Sequence, residues 1–251
     1  MPADIARVVA IGASNLTRGL QTVVSTARAA WGPDVEIVAA LGHGRSYGAP
    51  SHFLVRRLPG ILESGLWQQL ERGPAVPTRA LVTDVGNDIV YGVEADQILG
   101  WVDDVLARLS RVSNDLVLTD LPMDSIRRLP PWKFRAVRSV FFPSCRLAFD
   151  HVVATAERVH AGLADVARAR GARLVHLRPS WYGLDPIHIR PSEWRPAWQE
   201  ILGVACPVRR SGIETLQLYA LRPERRWLFG VEQRTPQAGV RLRRGGRVWL
   251  Y

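Results

Sequence analysis

A chain of 251 residues with a 47% hydrophobic fraction and nine tryptophans carries enough apolar surface for one large core, which excludes a disordered or low-complexity protein. Its net charge of +10 rests on 33 basic residues. Only Lys133 among them is a lysine, so the balance reflects arginine usage as much as selection for an anionic partner. Cys145 and Cys206 are too few for a disulfide framework and lie in no CxxC or Cys/His metal spacing, so both are expected as buried thiols.

In chain order, residues 6–12 (ARVVAIG) read as a short buried strand, and residues 16–31 then carry apolar side chains at helical spacing up to Gly32-Pro33. Residues 35–41 (VEIVAAL) repeat the strand signal. A Gly-rich turn at 42–48 leads into helical pattern over 51–72, broken near Pro59-Gly60. Residues 79–85 (RALVTDV) form a third apolar strand ending in Gly86-Asn87-Asp88, followed by an amphipathic helix over 95–112. Residues 115–119 make the fourth strand, a Pro- and Arg-rich loop covers 121–133, a long helix is predicted near 145–170, and 172–177 (ARLVHL) supplies the fifth strand.

Apolar strands alternating with helices predict a parallel sheet covered on both faces, because parallel connections need helical crossovers. The expected core is a three-layer α/β/α sandwich with five parallel strands, occupying residues 1–205. From residue 216 the pattern changes to short strand-like pieces at 216–221, 226–232 and 240–251, the last with a Gly245-Gly246 hairpin turn. Residues 206–251 are therefore expected as a basic, antiparallel β appendage on the same domain. They hold ten arginines against Glu214, Glu224 and Glu232, most of the net charge. A lid over the site, a dimerisation ribbon and a cover for the sheet edge all fit such a unit.

No basic start with an apolar stretch and a small-residue cleavage site precedes the first strand, and no apolar run approaches the ~18 residues a membrane span needs. A cytoplasmic, non-membrane protein is expected. In open α/β sheets ligands bind beyond the carboxyl ends of the strands, so the residues just after each strand are the candidates for chemistry. Ser14 follows the first strand, where a strand-to-helix turn can present its hydroxyl beside unpaired helix N–H groups. His188 can take its proton, and Asp185, three residues upstream, can orient the imidazole. Gly44 and Asn87, with the Ser14 amide, can supply the donors an oxyanion needs.

These four stretches resemble, in order and spacing, the blocks of the SGNH/GDSL hydrolase superfamily over residues 7–202. The resemblance places Ser14 at the nucleophile, Gly44 and Asn87 at the glycine and asparagine of the second and third blocks, and Asp185 with His188 in the final DxxH block. It implies a flavodoxin-like sandwich and a serine esterase that forms an acyl-serine intermediate, with no metal and no organic cofactor. Two departures stand out. Ala13 replaces the acid of the GDS triplet, and Val85-Gly86 reverses the start of the GxND block, so the turn that aims Asn87 should differ.

The substrate class is a small-molecule acyl ester: a carboxylic ester, a thioester or an O-acetyl group. An acyltransferase using the same triad and a catalytically silent protein whose basic tail engages an anionic partner are the alternatives. Nucleic acid is disfavoured as that partner, because the tail has strand character and no recognised motif. Ordinary readings stand beside the sharp ones: Ser14 or Asn15 can simply cap the next helix. His43 is a candidate for substrate contact and equally an exposed loop histidine. Trp194, four residues before Trp198, is a candidate pocket wall, although aromatics at that spacing more often pack into a core. Asp84 and Asp88 flank Asn87 without a second His or Cys at ligand spacing, so no metal site is expected there.

Overall fold

The computed structural model describes residues 5–135, 146–207, 212–243 and 245–251. In chain order the strands and helices are β1 (Arg7–Ile11), α1 (Ser14–Trp31), β2 (Glu36–Ala40), β3 (Ser51–Phe53), β4 (Arg56–Leu58), α2 (Leu66–Arg72), β5 (Thr78–Val82), α3 (Asn87–Val90), α4 (Ala95–Leu109), β6 (Asp115–Thr119) and α5 (Met123–Arg127). Then follow α6 (Phe149–Ala169), β7 (Arg173–Val175), α7 (Trp194–Leu202), α8 (Gly212–Ala220), β8 (Arg225–Leu228), β9 (Val231–Arg234), β10 (Val240–Arg241) and β11 (Arg247–Leu250).

The main sheet runs β10-β11-β2-β1-β5-β6-β7, and every neighbouring pair in it is parallel except β10 with β11. Within it, β2-β1-β5-β6-β7 is the flavodoxin-like order of a doubly wound sheet. The near-continuous apolar reading of the strands follows from burial on both faces. Val9, Ile11, Val38 and Val82 pack toward α2, α4 and α6, while Val8, Ala10, Ile37 and Leu81 pack toward α1 and α7. Helix α7 sits close on α1 because Gly19 has no side chain. A Cβ there would lie 2.1 Å from the indole nitrogen of the fully buried Trp198.

Five parallel strands stand where they were expected, and the C-terminal segment extends the sheet. Strand β11 pairs in parallel with β2, Trp249 opposite Val38, so the last strand joins the main sheet. The Gly245-Gly246 turn does join an antiparallel pair, β10 with β11. The antiparallel sheet is β3-β4-β8-β9 and draws half its strands from residues 51–58.

That pairing corrects the helix predicted over 51–72. Its first part is the β3–β4 hairpin, and Arg57 lies opposite Trp227 of β8, a partner that no local pattern could reveal. Only Leu66–Arg72 is α-helical. The strand predicted over 216–221 is instead part of α8. Glu214 and Leu218, one helical turn apart, are its buried residues, and Glu214 meets Arg28 of α1 through bonds of 2.7 and 3.0 Å. Cys206 is a half-buried free thiol, whereas Cys145 lies outside the described residues.

Candidate active site

Ser14 is the first residue of α1, immediately beyond the carboxyl end of the central strand β1. Its hydroxyl is not spent on capping, because it lies 2.9 Å from His188 Nε2. His188 Nδ1 is 2.7 Å from Asp185 Oδ2. The other carboxylate oxygen accepts the amides of Ile187 and His188 at 3.2 and 3.3 Å. Burial works against ionisation of Asp185. The hydrogen bond and charge of His188, the Ile187 amide and Arg18 together outweigh it and hold the carboxyl below the usual carboxylate range. Ser14 and a distant Asp185–His188 pair thus form one hydrogen-bonded line.

Two further residues hold that line in place. Asn15 donates to the Ile187 carbonyl at 2.9 Å and accepts the Ile189 amide at 2.8 Å, so it grips the loop on both sides of His188. Its amide also donates to Asp84 Oδ1 at 2.8 Å. Asp84 Oδ2 in turn accepts the amides of Ala13 and Leu16 at 2.9 and 3.0 Å. The start of α1 is therefore capped by a carboxylate from the end of β5, with no acid at position 13. Sequence reading passed over both roles. The available signals were an asparagine directly after the serine and an aspartate two residues beyond a strand, here at φ +61.

Asn87 opens α3 and lines, with Ser14 and Asp185, a cavity of about 140 Å³. Beyond these polar groups the cavity is largely apolar, walled by Leu121, Ile126, Leu129, Phe134, Phe149 and Val152. Asp120 reaches this cavity too, but its carboxylate is engaged by His176 at 2.7 Å and by the Leu177 amide at 2.8 Å. Gly44 lies on the neighbouring turn with φ +66, and an added Cβ would come 2.9 Å from the Tyr91 hydroxyl. That hydroxyl donates to the Gly44 carbonyl at 2.6 Å. The turn is clamped from below by Arg45. Wholly buried, Arg45 donates to the carbonyls of Leu41, Pro59 and Tyr251.

No family model and no curated protein matches the chain. Solved structures do. The psychrotrophic esterase EstA from Pseudoalteromonas sp., in a form inhibited by monoethylphosphonate, aligns over 79% of this chain and 97% of its own, with a TM-score of 0.50 and 10% identity. A lipolytic protein of the G-D-S-L family from Veillonella parvula aligns over 79% and 97% with a TM-score of 0.49 and 12% identity. The chain shares the α/β/α fold of the solved esterase.

Within this fold the two weaker site candidates take different places. His43 is half-buried, stacked on Phe53 with ring centroids 5.4 Å apart. Burial, followed by the charges of Arg56, Arg18 and His188, pushes its pKa down to about 4, so the ring is neutral at pH 7. Trp194 does not line the cavity beside Ser14. Its indole donates to the Ile189 carbonyl at 3.0 Å and so supports the loop that carries His188. Among the described residues no group of three or more His, Cys, Asp or Glu is placed to hold a metal ion. No described helix is long and apolar enough to cross a membrane.

The turn that carries Asn87 is held by Asp88, a fully buried residue that accepts the Tyr47 amide at 3.0 Å and so ties the Asn87 turn to the Gly44 turn. Burial pushes its carboxyl up to about 6. The folded protein therefore binds a proton here that the unfolded chain releases near pH ~4. This contribution is complete below that value and is lost as pH rises through about 6. Urea unfolding of the wild type and Asp88→Asn across this window should show the wild type losing, relative to the variant, on the order of 3 kcal/mol. Parallel pH dependence in the two proteins would count against it.

Proposed function

We propose that the protein hydrolyses ester-type acyl bonds, with Ser14 as nucleophile, His188 as general base and acid, and Asp185 as the group that orients the imidazole. The observation that carries this reading is the continuous line from Ser14 Oγ to His188 Nε2 at 2.9 Å and from His188 Nδ1 to Asp185 Oδ2 at 2.7 Å. The solved esterase that shares the fold supports it as an analogy.

Ser14 Oγ attacks the acyl carbon while its proton passes to His188 Nε2. Negative charge then develops on the carbonyl oxygen. The amides of Ser14 and Gly44 and the Asn87 carboxamide serve as its donors, each worth roughly 3 to 4 kcal/mol in comparable sites. His188 returns the proton to the leaving oxygen or sulfur, the acyl group stays on Ser14, and water activated by the same imidazole releases it. The apolar cavity beside Ser14 receives the acyl chain.

The test is a stopped-flow measurement with p-nitrophenyl butyrate, together with labelling by a fluorophosphonate. A burst of nitrophenol stoichiometric with protein, and a phosphonyl adduct mapped by mass spectrometry to Ser14, are expected. An adduct on another residue, or turnover without Ser14, would remove the proposal.

A further inference from the structure

A second cavity, of about 260 Å³, lies along the carboxyl edge of the sheet from the first. The apolar cavity is built from chain that follows β5, β6 and β7, whereas this one takes Leu41–His43 after β2, Leu250 at the end of β11, and part of α8. Because β1 stands between β2 and β5 in the sheet, the helix that follows it borders both: Ser14 lines the first cavity, Thr17 and Arg18 the second. Arg18, one helical turn after Ser14 on α1, lines the second cavity and reaches within 3.8 Å of Asp185.

The charge of this cavity is one-sided. Its lining includes Arg18, Arg56 and Arg226, beside the neutral His43, and no carboxylate among the described residues. The pleat of the small sheet brings two of these cations together. Arg57 lies opposite Trp227 and Arg56 opposite Leu228, so Arg56 and Arg226 project from the same face as diagonal neighbours. On the other face Arg57 and Arg225 both stack on Trp227, and Glu232 takes Arg225 and Arg234. The remaining acids nearby are engaged elsewhere: Glu214 with Arg28, and Glu224 with the Gly65 amide. Burial and the charge of Arg226 pull the Arg56 guanidinium below its ordinary pKa, and the acceptors these two arginines do meet are neutral, the His43 carbonyl for Arg56 at 3.2 Å and Gln233 Oε1 for Arg226 at 2.9 Å. Like charges on neighbouring strands weaken a sheet unless an anion lies between them.

We propose that this cavity receives a phosphate-class anion carried on the alcohol or thiol half of the ester, while the acyl half occupies the apolar cavity. The inference rests on the ester-hydrolase reading and names its substrate class. A substrate bonded at its acyl carbon to Ser14 extends in two directions from that atom, and the two cavities offer unlike environments for the two halves. Guanidinium pairs bind phosphate through parallel N–H donors, a geometry suited to Arg56 with Arg226.

The test compares ethylene glycol monobutyrate with its phosphate monoester, following butyrate release at constant ionic strength. In the wild type kcat/KM should favour the phosphate ester by ~10-fold or more, and Arg226→Gln should reduce that ratio by about as much. Calorimetry with inorganic phosphate on the Ser14→Ala protein should show binding that is lost when Arg226→Gln is added. Equal use of the two esters, or a ratio unmoved by Arg226→Gln, overturns the anion site and leaves the ester-hydrolase reading intact. Failure to turn over either ester counts against that reading instead, and the phosphate titration then decides the anion site alone.

Discussion

Replacing Ser14 by alanine should lower kcat on p-nitrophenyl butyrate by ~10⁴-fold or more with the thermal midpoint unchanged, and His188→Ala should do nearly as much. The reason is geometric. Ser14 Oγ meets a single base at 2.9 Å, and without either partner no other nucleophile and base stand in that line. The double variant should be hardly slower than either single one, because the two groups act as one unit and their losses do not add. Steady-state rates of the four proteins, measured on the same preparation used for thermal melts, make the comparison. Additive losses would mean that the two side chains act in separate steps, and an unimpaired Ser14→Ala protein would move the chemistry elsewhere in the molecule.

The second large effect is expected from Asp84, which touches no reacting atom. Its carboxylate accepts the amides of Ala13 and Leu16 and the Asn15 side chain, and Asn15 holds both sides of the His188 loop. Asp84→Ala leaves these donors without their acceptor, each at about 1–3 kcal/mol. The start of α1 and the His188 loop then lose their common anchor. Stability should fall by on the order of 2–5 kcal/mol, and kcat by ~10²-fold as the nucleophile and base lose alignment. KM should change little, since Asp84 supplies alignment and not the apolar wall. Asp84→Asn keeps the shape and tolerates the left-handed backbone, but it turns an amide donor toward groups that are themselves donors, so it should restore stability more than rate. Chemical denaturation combined with kcat and KM for both variants separates positioning from general destabilisation. A kcat within about twofold of wild type in Asp84→Ala, against a normal expectation of a large alignment loss, would dismiss the positioning role.

Much of the architecture was legible because it is written in local periodicity. The segments RVVAI, EIVAA, TRALV and DLVLT are strands buried on both faces, and helical spacing between them leaves few topologies open. The order of Ser14, Gly44 and Asn87 was legible because each falls within a few residues of a strand end, whereas Asp185 and His188 lie further out, on the loop beyond β7 and Pro179–Trp181. The hairpin at 51–58 was not, because its second strand, β4, is paired by β8 from far downstream. Helix α8 was missed because alternating Leu216 and Leu218 imitate a strand, while the contact that settles the matter, Glu214 with Arg28, is a tertiary one.

The chain's own order of residues decided the class of fold and the identities at the strand ends, since burial and backbone hydrogen bonding act on periods of two and of three to four residues. Distances belong to the folded molecule. Only there does β11 lie beside β2, Asp84 cap a helix that lies far upstream of it in the chain, and Arg56 face Arg226 across two strands separated by most of the protein. Electrostatics and alignment depend on separation in space, and that quantity exists only once the chain has closed on itself.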